Sequence, residues 1–177
     1  MRRFVLREIT VIGTLAMLGG SCSESLGVGL QSEGRSMREA LECYFEPLNL
    51  GMTESEVKRR MPGYQEALVI IRSSQMAPGG TVTLPSGTEA VITYDDQRRV
   101  SSISTRDSRI KLPRGIRVGS TLREVRNQYP NSEIVEIPYF ARAIELGPSV
   151  WIADSDHDGE DVVNWSVSWI ELRASPY

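Results

Sequence analysis

Leu50-Gly51-Met52-Thr53-Glu54-Ser55-Glu56-Val57-Lys58-Arg59-Arg60-Met61-Pro62 is matched, 68 residues later, by Val118-Gly119-Ser120-Thr121-Leu122-Arg123-Glu124-Val125-Arg126-Asn127-Gln128-Tyr129-Pro130. The two stretches align without gaps: Gly, Thr, Glu, Val and Pro coincide, and Lys58 matches Arg126. An internal repeat of this kind has to be recognised before any architecture is named. Thr53 with Glu56, and Thr121 with Glu124, are Thr-x-x-Glu capping boxes. In each box the threonine oxygen accepts a free N–H of the first turn, and the glutamate returns to the N–H of the cap. Val57/Met61 and Val125/Tyr129 stand four apart and form one apolar stripe per helix. Pro62 and Pro130 stop each helix after about two and a half turns. Leu48/Leu50 and Ile116/Val118 alternate like a short strand leading into each glycine.

Strand-like sequence follows both helices. After the first come Ala67–Arg72, Thr81–Leu84, Ala90–Tyr94 and Val100–Thr105, with Asp95–Arg99 polar enough to turn the last pair into a hairpin. After the second come Ile134–Ile137, Tyr139–Leu146, Val150–Ala153 and Asn164–Leu172. Trp165, Val167 and Trp169 alternate with Ser166 and Ser168, which predicts a half-buried antiparallel strand with both tryptophans on one face. The expected fold class is α+β: two tandem copies of a short capped helix followed by a three- or four-stranded antiparallel sheet, over residues 36–110 and 111–177. Either copy alone has a thin core, so the two are expected to share an interface or one continuous sheet.

A Gly-x-Thr-x-x-Glu-Val helix leading into an antiparallel sheet resembles the β-lactamase-inhibitor-protein-like family. The same local pattern is similar to that of the small lipoprotein of the outer-membrane β-barrel assembly machinery. The likeness covers residues 45–172 as architecture, with a matched motif of 13 positions per copy. Those positions cap and stop a helix and include no catalytic group. The resemblance implies a binding module, and it transfers no binding residue. The inhibitor's paired cysteines within its repeats are absent here.

The amino terminus carries Arg2, Arg3 and Arg7, an apolar run from Ile9 to Leu18, and then Gly19-Gly20-Ser21-Cys22. This is the pattern of an export signal over residues 1–22. The run of ten residues is too short to cross a hydrocarbon layer of about 30 Å. Leu18–Cys22 resembles a bacterial lipobox, with Gly19 at the place usually held by leucine; Cys22 is then the lipidated residue. Residues 23–35 are small and polar, as a flexible tether should be. By resemblance to the sorting rule of Gram-negative cells, Ser23 directs such a protein to the outer membrane. If Cys22 is acylated, Cys43 is an unpaired, buried thiol; the rival arrangement is a Cys22–Cys43 disulfide in an oxidising compartment.

In a chain of 177 residues, 40% apolar and 24% charged, a packed core is affordable. Two cysteines exclude a four-thiolate zinc site, and one histidine, His157, excludes a histidine-based one. A net charge of −3 and basic residues not interleaved with aromatics argue against nucleic acid. Asp154-Ser155-Asp156-His157-Asp158-Gly159-Glu160-Asp161 packs five acids into eight positions. Asp154, Asp156 and Asp158 are candidate calcium ligands, although the twelfth place of an EF-hand loop is Trp165 rather than glutamate. The plainer reading is a solvated hairpin tip. Residues 98–126 hold nine basic side chains against Asp107 and Glu124, a band suited to an acidic partner or anionic head groups. Tyr139, Phe140, Trp151, Trp165 and Trp169 serve either core packing or an aromatic patch on the sheet.

No serine motif accompanies His157, so hydrolase chemistry has little support and the chain reads as a non-enzyme. The expected function is an exported cell-envelope protein, lipid-anchored through Cys22, that binds an envelope protein partner and needs no cofactor. The alternative is a secreted inhibitor-like or calcium-binding ligand domain.

Overall fold

The computed structural model describes residues 30–72, 75–137, 141–147, 150–154 and 165–174. Three helices, α1 (Leu30–Phe45), α2 (Glu54–Arg60) and α3 (Leu122–Gln128), accompany eight strands. The strands are β1 (Gln65–Arg72), β2 (Gln75–Thr83), β3 (Glu89–Tyr94), β4 (Val100–Thr105), β5 (Ile134–Ile137), β6 (Ala141–Gly147), β7 (Val150–Asp154) and β8 (Trp169–Arg173). All pair antiparallel in one sheet of order β1-β2-β3-β4-β8-β7-β6-β5. The fold is therefore α+β.

Both capping boxes form as the sequence predicts. Thr53 Oγ1 accepts from the Glu56 N–H at 3.3 Å while the Thr53 N–H donates to Glu56 Oε2 at 2.8 Å. The corresponding Thr121–Glu124 distances are 3.3 and 2.7 Å. Gly51 and Gly119 turn the chain into the caps with φ of 81° and 91°, a region that only glycine enters freely. The first lead-in is then hydrogen-bonded to the start of β4, and the second to the segment just before β8. The Gly51 N–H donates to Val100 O at 2.8 Å, and the Gly119 N–H donates to Val167 O at 2.7 Å. Glu54 and Leu122, one residue past the caps, donate to Arg98 O and Trp165 O, each at 3.1 Å.

Val57, Leu122 and Val125 enter one core with Ile92, Ile103, Ile144, Ile152, Ile170 and Leu172. The helices thus share one face of the sheet. Helix α1 adds Met37, Leu41 and Phe45, spaced four apart, to the same core and packs across β6, β7 and β8. It begins at Leu30 and takes in residues 30–35 of the expected tether. Gly34 does not end it: one interior glycine costs about 1 kcal/mol, and the buried face from Met37 onward holds the helix in place.

Two strands depart from expectation. β2 starts at Gln75, running through Pro78-Gly79-Gly80, residues that usually end strands. Pro78 pairs with β1 alone, because the β3 ladder starts at Gly79, so its missing N–H costs no rung. The other departure is the tryptophan strand. Trp165 and Val167 are buried in the main core, whereas half-buried Trp169 packs on Trp151, Ala143 and Ala153 across the sheet. The expectation that Trp165 and Trp169 share a face fails because the chain is not one strand there. Residues 165–167 pair with the α3 lead-in, Ser168 donates to Ala153 O, and Trp169 is the register partner of that same Ala153. One extra residue reverses which face each later side chain meets. Ser101 is the extra residue at the matching place in β4, where Thr93 pairs with Ser102 and Tyr94 with Val100.

Candidate functional site

The face opposite the helices holds a groove of about 600 Å³. Its floor follows from register: Val91 lies opposite Ser104, Ser104 opposite Glu171, and Glu171 opposite Trp151. Alternation after the Ser101 and Ser168 irregularities places Ser102, Ser104, Trp169, Glu171 and Arg173 on this face. Polar side chains on a sheet floor need partners, and they find them beside one another. Thr93 and Ser102 share a hydrogen bond of 2.8 Å, and Thr93 reaches Ser101 at 3.0 Å. Glu171, only 6% exposed, accepts from Arg173 Nε at 2.7 Å.

One wall combines charge with an aromatic. The Arg106 guanidinium stands 5.9 Å from the centre of the Trp169 ring, within cation–π range. Beside it, Asp107 accepts from Arg109 Nε at 2.9 Å and from the Arg109 backbone N–H at 2.9 Å. The Arg109 guanidinium, with its N–H and then its charge, holds the Asp107 carboxyl at about 2. The groove therefore presents hydroxyls, two arginine–carboxylate pairs and one half-open indole. It suits recognition by shape and polar pairing better than proton transfer.

The other sequence-derived candidates fall in several places. Cys22, Asp156, Asp158, His157, Tyr139 and Phe140 lie outside the described residues. Asp154 closes β7, opposite Arg142 in register. Among the described residues, no three His, Cys, Asp or Glu side chains cluster as metal ligands would. Cys43 is half-buried on α1 and disulfide-bonded. No described helix is long and apolar enough to cross a membrane.

The basic band divides among several elements. Arg98 pairs with Glu54 at 3.3 Å, and Arg99 donates to Gly51 O at 3.2 Å, both by α2. Arg106 borders the groove, and Arg109 pairs with Asp107, which also lines it. Lys111 and Arg117 face each other in a bridge beside α3, and Arg114 lies 5.1 Å over the Tyr129 ring while donating to the Gln128 carbonyl.

Trp151 and Trp165 are 3% and 2% exposed, so Trp169 alone among the tryptophans is available as an aromatic contact. Glu171, Arg173, Thr93 and Ser102 were not singled out from sequence. Their signal is a period of two, polar or amphipathic at 169, 171 and 173 and apolar at 170 and 172.

No family model matches the chain, and no curated protein matches it. Among solved structures it is similar to the uncharacterized protein yfeY from Escherichia coli, with 16% identity and a TM-score of 0.48 over 71% of this chain and 90% of that one.

Proposed function

We propose that this is an exported cell-envelope protein that binds another protein in the groove of its sheet and catalyses nothing itself. The groove carries the reading: a buried polar floor beside Trp169 and Arg106, residue types that dominate binding energy at protein interfaces. We also propose that the fold is two copies of one unit. Each copy is a capped helix and four strands, and the copies join where β4 pairs with β8. The equivalent lead-in hydrogen bonds at Gly51 and Gly119, and the equivalent irregularities at Ser101 and Ser168, support that division.

The basic start and short apolar run support export, and Cys22 is the proposed lipid anchor. The disulfide at Cys43 favours a second form of the reading, an unanchored inhibitor-like or ligand-binding domain in an oxidising compartment. A Cys22 sulfur carrying a lipid thioether cannot also pair. Calcium at Asp154, Asp156 and Asp158 belongs to this second form. Intact mass of the protein from its own host, beside Cys22→Ser, separates the two: a diacyl or triacyl chain starting at Cys22 establishes the anchor, and an unmodified chain removes it.

The groove itself is tested by a photo-crosslinking residue at Ser104, compared with one at the exposed Arg123 of α3, in intact cells. A discrete adduct from Ser104, lost with Trp169→Ala, is expected. Equal adducts from both positions, or none from Ser104, would overturn the groove as the binding site.

A further inference from the structure

Five charged side chains line the groove, and three of them are neutralised within the molecule. Glu171 and Arg173 pair with each other, and Asp107 is taken by Arg109. The two that are left, Arg106 and Glu89, are exposed, and among the described residues neither stands in an ion pair. They are neighbours in the fold: Glu89 opens β3, Arg106 follows the last residue of β4, and the Thr105 hydroxyl donates to the Glu89 carbonyl at 2.8 Å. Their charged ends nevertheless stay apart. β4 lies between β3 and β8, and the Arg106 guanidinium is drawn over the Trp169 ring on β8, the side away from Glu89. A guanidinium resting on an indole keeps its in-plane N–H donors available, and that fork matches a carboxylate in a two-pronged contact.

From these two unspent charges, and resting on the reading that the groove binds a protein, we infer the kind of segment it takes: an extended stretch of the partner with an acidic and a basic side chain two residues apart. The acid docks on Arg106 and the base on Glu89. Side chains two apart in an extended chain share a face at a spacing of about 7 Å, which fits within the roughly 10 Å between β3 and β8. The sign of each position is set by repulsion as well as attraction. A segment with two acids sets its second carboxylate against Glu89, and one with two bases sets a cation against Arg106; like charges brought together across an interface exclude the wrong partner. Glu89 and Arg106 are therefore the residues that decide specificity, while Trp169 supplies the apolar surface beside them.

Random heptapeptides displayed on phage, selected on the immobilised full chain, read this preference directly. Enrichment of Asp or Glu two places from Lys or Arg is expected, and a selected peptide should bind Arg106→Glu and Glu89→Lys about tenfold more weakly or worse. Selection on Arg106→Glu should turn to peptides with two bases, and selection on Glu89→Lys to peptides with two acids. Both residues are exposed, so an unchanged circular dichroism spectrum verifies that the fold survives each reversal. Peptides that need Trp169 but lack the acid–base pair, or that bind the reversed variants equally well, would overturn the inference and leave the groove as the binding site. No enrichment at all would overturn it too, with the Ser104 adduct still deciding the groove. Peptides indifferent to Trp169→Ala as well as to both reversals would take down the inference and the groove together.

Discussion

The half of the molecule containing α2 and β1–β4 and the half containing α3 and β5–β8 use the same backbone devices for different ends. Thr53 and Thr121 cap alike, and Val100 and Val167 receive the two lead-ins alike. What differs is what the shared positions carry. The carbonyl that closes the helix start belongs to Arg98 in the first half and to Trp165 in the second. Arg98 points to solvent, with its side chain 55% exposed and φ at 58°, whereas Trp165 is buried in the core. On the groove face, Thr93 and Ser102 form a hydroxyl ladder where the second half sets Ala153 and Trp169. Backbone hydrogen bonding is indifferent to side-chain identity, so one scaffold holds a polar half and an aromatic half. Helix α1 covers strands of the second half, and the first half keeps an exposed apolar corner.

The sharpest way to break this comparison is at that shared carbonyl. Trp165→Ala should cost about 3–5 kcal/mol in urea unfolding, as expected for removing a buried aromatic. Arg98→Ala, at the matching position, should stay within about 0.5 kcal/mol because its side chain faces water. Equal losses would mean that the two positions are not environmentally distinct. Next comes a close packing found in the first half. A Cβ on Gly80 would stand 2.2 Å from Gln65 O and 2.5 Å from the Tyr64 ring. Gly80→Ala should therefore cost about 1–3 kcal/mol by overpacking, and a neutral result would show that β1 can move away.

The caps sharpen the comparison by predicting sameness. Thr53→Ala and Thr121→Ala should each cost about 0.5–2 kcal/mol, and a large inequality would argue against equivalent helices. The smallest effect is one of pH. Asp107 is held at about 2 by Arg109, below its ordinary value near 3.8. A depressed folded-state pKa stabilises above the unfolded value and loses that contribution as pH falls toward the folded one. Glu56 and Glu124 follow the same sign, each lowered by the backbone N–H of its capping threonine and then by that hydroxyl. Tm should fall between about pH 4 and 2, less steeply in Asp107→Asn than in the parent. An unchanged acid slope would remove Asp107 from the account.

Much of the fold was legible in local signals. A capping box is satisfied within four residues, so Thr53-x-x-Glu56 and Thr121-x-x-Glu124 located α2 and α3 without any tertiary knowledge. Alternation located the strands, and Ile134–Ile137 and Val100–Thr105 match the structure at both ends. The groove was less legible, because a polar residue on a strand looks the same whether it faces water or a concave floor. Trp169 was noticed as an aromatic, but its face was misassigned because alternation was continued across Ser168.

The sequence by itself determined where α2 and α3 start and stop, the succession of strands after each of them and the recurrence of one pattern along the chain. Each of these depends on contacts between near neighbours. Only the tertiary structure decided that the two meanders fuse into one sheet at β4 and β8, that α1 extends back to Leu30, and that Glu171 and Arg173 meet Thr93 and Ser102 around one groove. Those outcomes depend on long-range register. A single extra residue at Ser101 or Ser168 reverses which side chains are buried, and its position is set by the strand it must pair with.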